Sequence, residues 1–368
     1  MRFLVAPNAF KGTIPADEAA EIISDVLVRS THHNCLLQPV ADGGDGTCAL
    51  LIESLGLESV SIPVLNAIGV PVQGFFGWVP ESKKAFIDVS TASGLGALSE
   101  YQKDPYTTST FGTGLLIKKA VEFGAEEIVL GLGGSATVDM GTGILNALGV
   151  LFLDETGREL PVFSPGFLSK IKHVQKSLSL PKIRFTCLCD VKNPFFGADG
   201  AVKVFGPQKG LKLDQLDPFE KDCELLLELF RKKVKRDWHD LPGFGAAGGI
   251  ALGLDFFFKA QIKFGADYFF DQVDMRNKVN QSDWIITGEG QYDTQSNQGK
   301  ASYQLLKLAK EQGKKIALIT AGEGGRKAGF DLVLELPPLD FLSKDFKKKA
   351  RENLHGLIKI AIHEKKFD

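Results

Sequence analysis

The sequence predicts an α/β protein of two lobes, in which a second, mixed α/β domain is inserted into a parallel-sheet domain and a ligand cleft lies between them. Three observations carry this. Short apolar, β-rich runs recur at residues 2–6, 35–40, 126–131, 148–153, 183–188, 283–287 and 314–320, and each ends in a polar, glycine-rich turn followed by a helical period. That alternation is how buried parallel strands and their crossover helices read. Residues 57–90 break it with three strand-like runs, 59–64, 70–79 and 84–89, separated by Gly and Pro turns with no helix between them, which reads as antiparallel. The 368 residues also exceed the span of about 250–300 at which a single core stops growing. A segment of different architecture between two α/β stretches has the form of an inserted domain. Its limits are placed at 61–279, leaving 1–60 and 280–368 as the discontinuous outer domain.

The first helix is marked by Thr13 and Pro15 at its entrance, Asp17 and Glu18 in its first turn, and the stripe Ala19, Ile22, Ile23, Val26 and Leu27. The last stretch, Ser343 to Phe367, carries Phe346, Ala350, Leu354, Leu357, Ile358 and Ala361 on one helical face with lysines opposite. Its Lys347-Lys348-Lys349 tract reads as a solvated helix face, because 43 Lys plus Arg against 45 Asp plus Glu leave a formal charge of −2. The same balance points away from nucleic acid and toward small-molecule partners. The longest apolar run, Ala246 to Phe258, contains Asp255 and is far shorter than the ~20 residues that span a bilayer, so no membrane role is expected. Five cysteines are an odd count, and Met1–Ala6 reaches Pro7 and Asn8 too soon for a signal peptide. A reducing, cytoplasmic setting is expected.

The chemistry-bearing residues sit on four loops at the expected carboxyl ends of strands, where open α/β sheets bind ligands. The first, Ala6–Thr13, brings Lys11 and a hydroxyl to a helix entrance, suited to an anion. In the second, Ala41–Thr47, Asp42 and Asp45 share a loop with three glycines, able to bind substrate hydroxyls or a hydrated Mg²⁺. The third, Cys189–Pro194, offers Asp190, Lys192 and Asn193, followed by Gly206-Pro207-Gln208-Lys209-Gly210. The fourth, Thr287–Asp293, sets Glu289 and Asp293 about a sharp turn ahead of Gly299-Lys300. Turn chemistry and helix caps account for any one of these loops equally well. Together they are the parts of phosphoryl transfer, in which positioned acids, cations and glycine nests do most of the work.

A competing reading rests on Gly131-Leu132-Gly133-Gly134-Ser135-Ala136, which matches the dinucleotide fingerprint G-x-G-x-x-[GA] after a strand, with Asp154 about twenty residues on. Ser135 and Thr137 add hydroxyl donors, and Asp139–Gly143 puts an acid and two more glycines where that fingerprint expects a smooth apolar helix start, so a phosphate or carboxylate cradle explains more residues. No Walker pattern, no protein-kinase H-R-D set, no G-x-S-x-G and no H-E-x-x-H occurs. Cys187 and Cys189 lack the second ligand pair of a zinc site and read as core.

In order and nearly end to end, the segments APNAFKG (Ala6–Gly12), PVADGGDGT (Pro39–Thr47), ASGL (Ala92–Leu95), TTSTFGTG (Thr107–Gly114), LGLGGSATVDMGTG (Leu130–Gly143), CDVKNP (Cys189–Pro194), FGPQKG (Phe205–Gly210), GFGAAGG (Gly243–Gly249) and TGEGQYDTQSNQGK (Thr287–Lys300) resemble the bacterial type-1 glycerate kinase family. The chain departs from the family's usual residues at Asn8 (Asp), Asp45 (Glu) and Gln291 (Arg). The last removes a charge that would fork an anion. The resemblance implies a Rossmann-like or flavodoxin-like lobe, a mixed α/β insertion, and phosphorylation of D-glycerate by ATP with Mg²⁺ to 2-phosphoglycerate, with 3-phosphoglycerate the lesser expectation. Asp190, Asp42 and Lys11 are then the expected catalytic residues, and Gly44, Asp45, Thr47, Gly133, Gly134, Ser135, Thr137, Asn193 and Lys209 the substrate and phosphate site. Gly288, Glu289, Gly290, Asp293 and Lys300 would hold nucleotide, and Asp190 and Glu289 the metal. A kinase of another hydroxy acid, a nicotinamide dehydrogenase using residues 131–136, and a non-catalytic sugar-acid sensor are the alternatives.

Overall fold

The structure, a computed structural model, describes residues 1–31, 33–292 and 299–367. Its strands are β1 (Arg2–Val5), β2 (Asn34–Leu37), β3 (Glu58–Leu65), β4 (Pro71–Val79), β5 (Lys84–Asp88), β6 (Glu127–Gly131) and β7 (Val150–Leu153). They continue with β8 (His173–Lys176), β9 (Arg184–Cys189), β10 (Gln261–Phe264), β11 (Trp284–Gln291), β12 (Lys315–Ala321) and β13 (Leu332–Leu336). Two compact units result: an outer one, Met1–Asp42 with Ala266–Asp368, and an inserted one, Gly43–Gly265. No helix among the described residues is long and apolar enough to cross a membrane.

The outer unit is built on a five-stranded sheet in the order β13-β12-β11-β1-β2, parallel throughout. Counted within the unit this is the flavodoxin-like order 2-1-3-4-5. The helices Ala16–Thr31 and Phe346–His363 lie together. Their apolar stripes share one core with the sheet, Ile23 and Leu27 from the first and Leu354 and Ile358 from the second meeting Phe3, Val5, Ile286 and Ile319. Arg351 ties the two helices to each other through Glu18, with Nη2 donating to Oε2 at 2.8 Å. Strand order reverses between β1 and β11, so the loops leaving those two strands flank the crevice where such sheets bind ligands.

The inserted unit holds a six-stranded sheet, β10-β9-β6-β5-β4-β3. As the helix-free stretch 57–90 predicts, β3, β4 and β5 pair antiparallel, whereas β5, β6, β9 and β10 run parallel. One strand behaves differently from its place in the α/β series: β7 pairs antiparallel with β8 in a sheet of two. Both flanks of β6 are already taken, by β5 and β9, which leaves β7 no edge there. Cys187 and Cys189 are buried in the core, as expected of them.

The domain limits expected near residues 60 and 280 fall instead at 42 and 266. The helix Thr47–Ser54 goes with the inserted unit because the Asp88 carboxylate at the end of β5 accepts the N–H groups of Cys48 (3.0 Å) and Ala49 (2.8 Å) in its first turn. The helix Met275–Asn280 goes with the outer unit. Arg276 pairs with Glu311 at 3.0 Å, its carbonyl accepts Gln312 Nε2 at 3.1 Å, and Lys278 donates to Gln38.

Candidate active site

Within the outer unit, the loops after β1 and β11 are stitched together by backbone. The Ala6 N–H donates to the Ile286 carbonyl (2.7 Å), the Asn8 N–H to the Gly288 carbonyl (2.8 Å), and Thr287 Oγ1 to the Ala6 carbonyl (2.9 Å). They line a cleft of about 400 Å³ that collects Asn8, Lys11, Asp42, Glu289, Gly290 and Lys300. Asp42 is buried, and Asn8 Nδ2 donates to its Oδ2 at 2.9 Å. The Asn8 amide is oriented by its own chain, because the Ala9 N–H takes Oδ1 at 2.8 Å and leaves the NH₂ group for Asp42. An aspartate at position 8 would instead set two carboxylates against each other, raising the proton affinity of the pair.

Glu289 lies at a bulge of β11 and is only 5% exposed. Burial raises its carboxyl above the usual range, Lys300 opposes this with Nζ 3.4 Å from Oε2, and the Asp42 charge pushes in the same direction as burial. Lys11 is exposed at the rim. Gly288 lies against the Phe10 ring, where a Cβ would meet Cζ at 2.8 Å. Asp293 lies outside the described residues.

In the inserted unit three loops meet backbone to backbone. Gly43, with φ +97°, leaves no room for a side chain: a Cβ would sit 2.6 Å from the Cys189 carbonyl carbon. A Cβ at Gly133 would sit 2.0 Å from that of Gly44. Thr47 is fully buried and locks its own loop, accepting the Gly43 N–H at 3.0 Å and donating to the Gly44 carbonyl at 2.9 Å. Asp45 and Gly134 are exposed and adjacent, the Asp45 carboxyl lying 2.8 Å from where a Gly134 Cβ would be. Asp190 is the first residue past β9 and is half-buried. Asn193 Nδ2 donates to the Asp199 carbonyl at 2.7 Å, while its own carbonyl accepts the N–H groups of Gly243 and Gly245.

Lys209 is 4% exposed, and its Nζ donates to Ser135 Oγ and to the Thr137 carbonyl, both at 2.8 Å. It therefore acts on the glycine loop from beneath. Burial lowers its ammonium to about 7, with the Asp139 charge opposing. Thr137 Oγ1, also buried, has no hydrogen-bond partner among the described residues. Because the folded ammonium gives up its proton more readily than an unfolded lysine does, the unfolded chain holds the extra proton between pH ~7 and ~10.4, and stability rises with pH across that window. The wild-type unfolding free energy is expected to gain up to about 1.4 kcal/mol per pH unit over that of Lys209→Met there, as read by urea titration. Parallel pH profiles would show that Lys209 is charged in the folded chain.

Two acids outside the predicted set hold this geometry. Asp88 is pushed up to about 6 by burial, eased by the two N–H groups it accepts. Asp139 accepts from the Thr110 N–H (2.9 Å), Thr110 Oγ1 (2.8 Å), the Gly141 N–H (3.0 Å) and the Gly143 N–H (3.3 Å). An acid closing a strand, in Phe86-Ile87-Asp88, was the only local sign of the first. Asp139 stood inside a recognised loop with nothing to show that it faced inward.

Asp88 also overturns the dinucleotide reading of residues 131–136. A Cβ at Gly131 would lie 2.1 Å from Asp88 Oδ1, so Gly131 and Gly133 are required by neighbouring protein groups, and the next helix starts only at Thr142. Asp154, the ribose candidate, closes its own turn by accepting from Thr156 N–H and Oγ1 (2.8 Å each) and Arg158 N–H (3.0 Å).

The sequence profile of the glycerate kinase family matches residues 3–362. The chain is 36% identical over 317 residues to a glycerate kinase of Bacillus subtilis (strain 168), covering 84% of this chain and 82% of the relative. It is 32% identical over 323 residues to the glycerate 2-kinase of Escherichia coli (strain K12), covering 86% and 84%. The crystal structure of a putative glycerate kinase 2 from Salmonella typhimurium LT2 superposes with a TM-score of 0.82 at 30% identity, covering 100% of this chain and 98% of that one. With the motif loops set at strand ends and this likeness running the length of the fold, the chain belongs to the glycerate kinase family and is a phosphotransferase with an alcohol group as acceptor.

Proposed function

We propose that this enzyme transfers the γ-phosphoryl group of ATP to the C2 hydroxyl of D-glycerate, giving 2-phosphoglycerate and ADP. The observation that carries the donor half is the outer-unit cleft, in which two buried acids, Asp42 and Glu289, and two lysines, Lys11 and Lys300, gather at the switch point of a parallel sheet. The name of the Escherichia coli relative supports the C2 position. In this reading the hydroxyl oxygen attacks the γ-phosphorus, its proton passes to Asp190, and the bond to the β-phosphate oxygen breaks. Lys11 and Lys300 offset charge on the phosphates. The loops carrying Gly44, Asp45, Gly133, Gly134 and Ser135 hold the acid.

The donor set fits Mg²⁺. Among the described residues no cluster of three or more metal-ligating side chains exists, but magnesium on a nucleotide takes only one or two protein carboxylates, with phosphate oxygens and water completing its shell. Glu289 and Asp42 are oxygen donors of that kind, and Asp190 is the candidate in the inserted unit. When bound, the ion neutralises phosphate charge. A cytoplasmic location belongs to the proposal, supported by five unbridged cysteines.

The test is turnover of D-glycerate with ATP and Mg²⁺, following ADP and assigning the phosphorylated carbon by NMR, with L-glycerate and a no-acid control. Phosphate on C2 is expected. Phosphate on C3 overturns the regiochemistry, and no ADP beyond the control overturns the substrate and directs the search to other hydroxy acids.

A further inference from the structure

The outer-unit cleft has a second wall that the three-carbon acid does not need. Beyond Lys11, Asp42, Glu289 and Lys300 it is lined by Leu336, Pro337, Pro338, Leu339 and Phe341. Glycerate is nearly all carboxylate and hydroxyl and has no apolar face to lay against such a wall. The cleft, at about 400 Å³, lies within the roughly 300–1,000 Å³ of sites that enclose drug-sized ligands.

The sheet order fixes the layout. Lys11 and Glu289 belong to the ends of β1 and β11, the apolar wall begins at the last residue of β13, and β12 lies between β11 and β13. Two strand spacings, ~10 Å, therefore separate the charged end from the apolar end. The lining residue from β12 is the small Ala321, which leaves the floor between the two ends low. A ligand matching this outline is anionic at one end and flat and apolar at the other, with a narrower linker. Pro337-Pro338 adds no N–H donor to the wall, Phe341 is 64% exposed at the mouth, and half-buried Asn353 brings an amide able to pair with a base edge.

We propose that the wall from Leu336 to Phe341 is the nucleobase subsite of the phosphoryl donor, so that the outer unit binds the whole nucleotide. This rests on the donor half of the proposed reaction. The test compares the full-length wild type with Phe341→Ser and with Leu339→Ser/Phe341→Ser, titrating each with ADP and with inorganic pyrophosphate by calorimetry. Wild type is expected to bind ADP at least about tenfold more tightly than pyrophosphate, since stacking on an aromatic wall is worth that much. In the double variant the gap is expected to close, with pyrophosphate affinity kept and KM for ATP raised about tenfold at unchanged kcat and unchanged KM for glycerate. Phe341 lies outside the core, so the single variant keeps the comparison valid if the double one fails to fold. Unchanged ADP affinity in a folded variant, or equal loss for both probes, overturns the subsite. A wild type that binds ADP this way yet does not phosphorylate glycerate overturns the proposed substrate and leaves the subsite standing.

Discussion

Asp190→Asn is expected to lower kcat for glycerate phosphorylation by about 10²–10⁴-fold, the usual contribution of a positioned general base, while KM for ATP stays within about twofold. The substitution keeps the side chain's shape and removes its charge and its ability to take a proton. Asp190 leaves the carboxyl end of β9, and its backbone neighbour Cys189 is clamped by Gly43 at a distance no side chain at position 43 permits. Its position is thus inherited from the sheet, as a proton acceptor requires. A negative charge there is also felt next door: the Cys189 thiol is pushed up to about 12, by burial first and by Asp190 second. Steady-state kinetics with a folded variant decide the matter, and a fall in kcat below tenfold removes Asp190 from the chemistry. A rise in KM for ATP with kcat unchanged would move it to nucleotide binding.

The largest stability effect is expected at Asp139. Asp139→Ala removes the acceptor of four hydrogen bonds and the acid whose charge acts on the buried Lys209 ammonium. Leaving these buried donors without their acceptor costs about 3–5 kcal/mol, to be read from the urea midpoint at constant m-value. Asp139→Asn, which keeps one acceptor oxygen, is expected to lose less. A loss under about 1 kcal/mol for the alanine variant would show that the loop 139–143 finds other partners. Since Lys209 in turn holds Ser135 and Thr137, the alanine variant is expected to raise KM for glycerate before it unfolds.

Much of this fold is legible locally. The stripes Ala19-Ile23-Val26-Leu27 and Ala350-Leu354-Ile358-Ala361 predict two helices by period alone, and both stripes are buried. Three β runs without helices predict an antiparallel excursion, and β3, β4 and β5 form it. A strand needs only its own residues to be recognised, whereas its neighbours depend on which edges other strands have taken. That is why β7 was misplaced in the parallel series, and why the domain limit fell short of Asp88's hold on the helix Thr47–Ser54.

The same division runs through the site. Glycines, acids and lysines at strand ends picked out loops that the structure gathers, those after β1 and β11 around one cleft and three in the inserted unit backbone to backbone, because a loop's composition is local and the carboxyl ends of parallel strands are where such sheets bind ligands. Which direction each side chain takes was not in that pattern. Lys209 looks like any phosphate-binding lysine, yet it is 4% exposed and points into the protein at Ser135 and Thr137. Gly131 and Gly133 look like a dinucleotide cradle, yet what they accommodate is Asp88 and the backbone of Gly44. The apolar wall from Leu336 to Phe341 reads as an ordinary loop until the sheet order sets it two strands from Glu289. By itself, then, the sequence determined the elements, their amphipathic faces, the loops that bring glycines, acids and lysines to strand ends, and the family. Only the tertiary structure decided which of those residues meet, which are buried and what each glycine makes room for, because burial and contact are set by residues far apart in the chain.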